Sequence, residues 1–314
     1  MASFLHAVGA VTIILLLTAT GYFCGAKGWM KAETKAFLSK FLLSLAVPCM
    51  CISGLRGNLT RGMIAGSLRL LAVPFSCNTV SFLLAFALSR LLKLPRKQGG
   101  VFVVMCSLSN AMFIGYPMCL ELFGEVCIPY VMLYYLANAS FTQTLAMWLI
   151  RRAGEQTGSG ERGVWRQSLL FLTSPTVLGL FAGVLIVWFD ITLPSFLMSY
   201  LGYMGGVVSP MALVLAGYVI YEIGLRSLRL DRNLTVMLLF RFVLAPGLYI
   251  LCCGLFGVAS LARDAFVVES AMPVVTQTVV AASRYGADER LAAEGAALST
   301  IASFIVIPVL MVLL

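Results

Sequence analysis

Apolar residues run along this chain in long blocks separated by short polar connections, almost from end to end. Blocks of about 20 residues match the hydrocarbon thickness of a bilayer when wound as helix. Ten spans are predicted, with ends at about Phe4 and Cys24, Ala36 and Leu55, Ile64 and Leu92, Gly100 and Leu122, and Cys127 and Ile150 in the first half. The second half gives Ser168 to Phe189, Ser195 to Tyr221, Leu234 to Val258, Ala265 to Tyr285 and Ala292 to Leu314. Two spans are interrupted. The fourth contains NAMFIGYP, Asn110 to Pro117, and the ninth contains SAMPVVTQT around Pro273. Proline lacks a backbone N–H and its ring clashes with the carbonyl four residues back, so a break or kink is expected at Pro117 and at Pro273.

The halves repeat. Arg69 stands five residues before Pro74 in the third span, and Arg241 five before Pro246 in the eighth. Pro48 precedes Pro210, and Gly124 precedes Gly286, by the same 162 residues. Ser140-Phe141 in the fifth span returns as Ser303-Phe304 in the tenth. Five spans are an odd number, so the second copy starts on the opposite side of the membrane and the repeat is inverted. The expected fold is an all-α polytopic membrane protein of ten transmembrane helices. Residues 1–150 form one five-helix repeat, 151–167 a Gly-rich, charged cytoplasmic linker, and 168–314 the inverted copy.

Composition supports that class. The chain is 61% hydrophobic and 11% charged, with a mean hydropathy of +0.97. A soluble domain carries roughly 25% charged residues. The net charge of +9 does not mark a nucleic-acid surface, because the basic residues are dispersed over short loops. With the amino terminus outside, 17 of the 22 Lys and Arg fall in inside loops and three, Arg56, Arg61 and Arg263, outside. That bias places both termini outside the inner (plasma) membrane and the linker in the cytoplasm. Arg69 and Arg241 remain, near span starts, where snorkelling to the interface is the favoured reading. The nine cysteines read as small buried hydrophobes, and residues 1 to 25 lack the basic start of a cleaved signal peptide.

Candidate chemistry gathers at the interruptions. A broken helix in lipid exposes backbone groups that must be buried by protein or lined by water. Half-helix N-termini attract anions and C-termini attract cations. Asn110, Ser107 and Ser109 come from the fourth span, Thr276, Gln277 and Thr278 from the ninth, and Asn138, Ser140, Thr142 and Gln143 from the fifth. Such groups serve equally as interhelical hydrogen-bonding glue. Glu269, four residues before Pro273, is the candidate proton or ion-coupling group if it lies deep, and a solvated partner of Arg263 and Asp264 if it lies shallow. His6 reads as interfacial, and Gly179-x3-Gly183 as a small-residue packing face that hints at a dimer. No metal site, metalloprotease motif or phosphate loop is present, so neither a cofactor nor an enzymatic activity is expected.

The stretches NAMFIGYPMCLELFG (110–124), FLLSLAVP (41–48), AMPVVTQTVVAASRYG (271–286) and ALSTIASFIVIPVL (297–310) resemble the auxin efflux carrier family, in order over nearly the whole chain. The short linker is closer to the family's bacterial malate and malonate permeases than to plant auxin exporters. The resemblance implies ten spans in two inverted repeats, with the fourth and ninth crossing at the site. It also implies a scaffold of spans one, two, six and seven, elevator-style motion, and often a homodimer. It places Asn110, Pro117, Asn138 and Pro273 at the substrate site or crossover, and Gly115, Thr276 and Gln277 of the interrupted spans join them as candidate substrate-binding residues. The expected activity is secondary transport of a small organic acid anion, coupled to H+ or Na+ or to neither, in contact with membrane lipids. A sodium-coupled carrier of a larger amphipathic anion and a non-transporting ligand sensor are the alternatives.

Overall fold

The computed structural model describes residues 2–154, 172–224, 229–258 and 261–314. Most of the expected linker (151–167), the start of the sixth span at Ser168, and Arg226 lie outside the described residues, as does the side chain of His6.

Among the described residues the chain is almost wholly helical and has no strand. In order the helices are α1 (Ala2–Ala26), α2 (Ala32–Asn58), α3 (Arg61–Leu91), α4 (Arg96–Ser107), α5 (Ala111–Phe123) and α6 (residues 128–153). They continue with α7 (Pro175–Trp188), α8 (Ser195–Ile223), α9 (Arg232–Leu255), α10 (Leu261–Ser270), α11 (Gln277–Tyr285) and α12 (Glu289–Leu313). Six stretches among the described residues are long and apolar enough to cross a membrane: Val8–Ala26, α2, Gly66–Leu91, α8, α9 and α12. The expected fourth and ninth spans are each two short helices with a gap, at residues 108–110 between α4 and α5 and at 271–276 between α10 and α11.

One expectation is corrected here. The fourth span does not break at Pro117, which sits in the first turn after a π-turn, Ala111–Gly115, inside α5. The same device recurs at Leu42–Ala46 before Pro48 and at Phe240–Leu244 before Pro246. One extra residue in the turn relieves the clash between the proline ring and the carbonyl behind it, and the helix continues. Pro273, by contrast, lies inside its gap as expected.

Ordinary local chemistry sets several ends. Asp231 and Asp288 cap α9 and α12 by accepting from the N–H groups of Leu234 (2.7 Å) and Leu291 (2.9 Å). Gly124 and Gly286 end α5 and α11, both at φ +73°, a conformation that favours glycine. Glycine also sets close helix approaches. A Cβ at Gly21 of α1 would fall 1.8 Å from the Val214 carbonyl oxygen of α8, and one at Gly217 of α8 would fall 1.8 Å from that of Thr18. Gly179 and Gly183 of α7 lie against Pro48 and Cys51 of α2, so this small-residue face is used within the chain and is not free to pair with a second copy.

Among the described residues two large apolar cores result, beside a small cluster of Ala139 and Val177. Ala111 and Ala271 belong to one, with Tyr134 and Phe266; Leu108 and Val274 belong to the other, with Phe102 and Met237. The two gaps therefore lie where the cores meet. The nine cysteines are free, and all but Cys24 are buried, as their apolar surroundings in sequence suggest.

Candidate functional site

The two gaps are bonded to each other. Ser109 and Val274 form an isolated antiparallel bridge, and the Asn110 N–H donates to the Pro273 carbonyl at 2.8 Å. The side-chain amide of Asn110 donates to Thr276 Oγ1 at 3.1 Å. Each gap thus satisfies backbone groups of the other, which a helix interruption inside the membrane requires.

Side chains from α6 and α12 satisfy more. Asn138 behaves like one rung of a strand: its Oδ1 accepts from the Ser109 N–H at 3.2 Å and its Nδ2 donates to the Ser109 carbonyl at 2.8 Å. Ser109 Oγ and the Tyr134 hydroxyl share a 2.8 Å bond. Val274 N–H donates to Ser299 Oγ at 3.0 Å. Gln143 donates to Gln277 Oε1 at 3.2 Å, tying α6 to the start of α11. Buried Ser107 Oγ and Thr278 Oγ1, one beside each gap, have no partner.

Arg241 is the residue that sequence reasoning misread. It is 1% exposed and does not snorkel. It lies nine residues into α9, roughly 14 Å along the axis from the start of the helix. From Nε it donates to the Met272 carbonyl at 2.6 Å, and from Nη1 to the carbonyls of Met105 (2.9 Å) and Cys106 (3.1 Å). Met105 and Cys106 lie in the last turn of α4 and Met272 just beyond the end of α10, where partial negative charge collects. One guanidinium serves both, and no carboxylate pairs with it among the described residues. The signal that marks it in sequence is depth, counted from the start of its helix. Its repeat counterpart Arg69 is different: it is exposed and donates to the Phe256 carbonyl at the end of α9.

A cavity of about 50 Å³ lies beside the gaps, lined by Asn110, Asn138, Thr142, Gln143, Thr276 and Gln277 among others. A second, of about 20 Å³, is lined by Asn110, Thr276, Thr300 and residues of α8. Asn110 and Thr276 line both, so their bond stands in the common wall. No acidic residue lines either cavity. The first N–H groups of α5 fall outside the intrahelical ladder by position and border the larger cavity at Ala111, Met112 and Phe113.

The expected site residues therefore separate. Asn110, Asn138, Thr276 and Gln277 are brought together around the larger cavity. Pro273 contributes its carbonyl to Asn110. Pro117, Gly115 and Glu269 line neither cavity. Glu269 is fully buried and so is not solvated, and Arg263 pairs with Asp264 at 2.8 Å without it. Its Oε1 faces Cys119 Sγ at 3.7 Å, and its Oε2 has no partner. A Cβ at Gly115 would lie 2.2 Å from that Oε2, so Gly115 is the surface on which the carboxyl group rests.

Long apolar helices around a polar site at paired helix breaks define an integral membrane protein of the transport class. Residues 6–311 match the model of the membrane transport protein family, and the chain belongs to that family, that of the auxin efflux carriers. It is similar to an uncharacterized transporter of Methanocaldococcus jannaschii, 25% identical over 303 residues and 95% of each chain. It is likewise similar to an uncharacterized transporter of Methanothermobacter thermautotrophicus, 24% identical over 319 residues and 99% of each chain.

Proposed function

We propose that the protein is a secondary transporter of a small organic acid anion, a mono- or dicarboxylate such as malate or malonate. It binds its cargo at the meeting of the two gaps. The observation that carries this reading is the polar, acid-free cavity lined by Asn110, Asn138, Thr276 and Gln277 and bordered by the N-terminal end of α5. Amide donors and a helix N-terminus suit a carboxylate, and the buried charge of Arg241 nearby raises the local potential for an anion. In this reading α4–α5 and α10–α11 are the crossed, broken fourth and ninth of ten spans. Residues 1–150 and 168–314 are inverted five-helix repeats joined by a cytoplasmic linker, with both termini outside the inner membrane. An elevator-like motion of the crossed helices against a scaffold of spans one, two, six and seven gives alternating access, and the protein works as a homodimer. Glu269, buried with one free oxygen, is the proton carrier.

The sodium-coupled alternative is disfavoured by Arg241. The half-helix carbonyls that a coupling cation would seek already accept from its guanidinium. The test is uptake of labelled malate and malonate into proteoliposomes by the wild type and by Asn110→Ala. Uptake is expected to collapse in the variant; undiminished uptake of every acid that the wild type accepts overturns the site.

A further inference from the structure

A larger cavity lies elsewhere. A groove of about 780 Å³ opens between the end of α3, the start of α4 and the end of α6. Its mouth is cationic. Arg90 stands over the Phe86 ring at 5.0 Å, Arg152 over the Trp148 ring at 5.3 Å, and Arg96 donates from Nε (3.1 Å) and Nη2 (3.0 Å) to the Arg152 carbonyl. Aromatic faces and a carbonyl thus hold all three guanidiniums, and none pairs with a carboxylate among the described residues. No acidic residue lines the groove. Deeper, its walls are Phe82, Phe86, Leu145 and Leu149. Phe82 is fixed by stacking on Phe141 at 5.6 Å. The wall continues outward through Leu83, 65% exposed on a helix long enough to cross the membrane.

We infer that this groove binds one anionic phospholipid, with its phosphate among Arg90, Arg96 and Arg152 and an acyl chain along Phe82, Phe86, Leu145 and Leu149. Charge complementarity and shape name the occupant. Guanidiniums with spare donors match phosphate oxygens in fork geometry, whereas a zwitterionic headgroup adds a cation to a site that already holds three. An apolar trough leading to the lipid face suits a chain that a soluble anion lacks. The loop charges place this end of α3 on the cytoplasmic side, whose leaflet carries anionic lipid. The groove is separate from the cavities at the gaps, so lipid binding stands or falls independently of the cargo.

The test is native mass spectrometry of the delipidated full chain in detergent, titrated with dioleoyl phosphatidylglycerol or dioleoyl phosphatidylcholine. The wild type should retain one phosphatidylglycerol at a concentration on the order of tenfold lower than phosphatidylcholine. Arg90→Gln/Arg96→Gln/Arg152→Gln should abolish the preference. Gly99→Trp is the second variant: a Cβ at Gly99 of α4 meets nothing within 4 Å, so the indole fills the groove without disturbing the helix. It should lose phosphatidylglycerol with all three arginines intact. Equal retention of both lipids, as when the groove is filled by the chain itself, overturns the inference. Undiminished phosphatidylglycerol in the triple variant overturns it too, as does displacement by millimolar inorganic phosphate, which would make this a site for free anions.

Discussion

The Nε of Arg241 lies 2.6 Å from the carbonyl oxygen of Met272, and the same guanidinium reaches Met105 and Cys106 on the other half-helix. A buried cation here belongs to the frame of the site. Arg241→Met leaves three buried carbonyls without their donor and is expected to cost about 3 kcal/mol or more. Thermal unfolding in detergent measures it. Arg241→Lys keeps the charge without the planar fork and should fall between. Identical unfolding temperatures for all three proteins would remove the clamp.

Because that guanidinium takes the half-helix ends, initial uptake rates should be the same in sodium and in potassium media. A rate that rises saturably with sodium would restore the alternative of a sodium-coupled carrier.

Glu269 and Gly115 are coupled by contact, since a Cβ on Gly115 would meet Glu269 Oε2 at 2.2 Å. Gly115→Ala should destabilise the wild type by about 1–3 kcal/mol and cost far less in a Glu269→Ala background. A double-mutant cycle of unfolding temperatures reads the difference, and additive effects would deny the contact. Glu269→Gln separately should transport without responding to an imposed pH gradient; an unchanged response takes the proton from this residue.

Asn110 and Asn138 are both amides at the larger cavity, yet they should fail differently. Asn138 satisfies both backbone groups of Ser109, so Asn138→Ala is expected to lose about 2 kcal/mol of stability as well as transport. Asn110 keeps its backbone bond to Pro273 when its side chain is removed, so Asn110→Ala should lose transport at a cost of about 1 kcal/mol or less. Measuring uptake and unfolding together separates them, and matched stability losses would contradict the division.

What the chain reveals before folding depends on whether a feature is local. Apolar blocks and the interruption at Pro273 are local; six of the blocks are helices long enough to cross a membrane among the described residues, and Pro273 lies in its gap as expected. Pro117 misled because a proline one turn into a helix is absorbed by a π-turn, and whether a turn widens or breaks depends on packing beyond it. Arg241 misled because its partners, Met105 and Met272, are distant in sequence, and apolar residues advertise no free carbonyl. Gly115 was marked by motif alone, while its physical reason, a carboxyl group resting on its Cα, sits 154 residues away on α10. The Gly179 and Gly183 face was legible as a packing surface but not its partner, which proved to be α2.

The bridge between Ser109 and Val274 ties four half-helices through the main chain, and its Asn110 N–H to Pro273 carbonyl bond survives any side-chain change short of proline at position 110. A motion that exposes the cavities must then carry this knot whole, with the sliding done at its rim. Opening the Asn110–Pro273 bond to solvent would need much of the molecule to come apart. In hydrogen exchange, the Asn110 amide should therefore be among the slowest protons in the chain, tracking global unfolding even while cargo crosses.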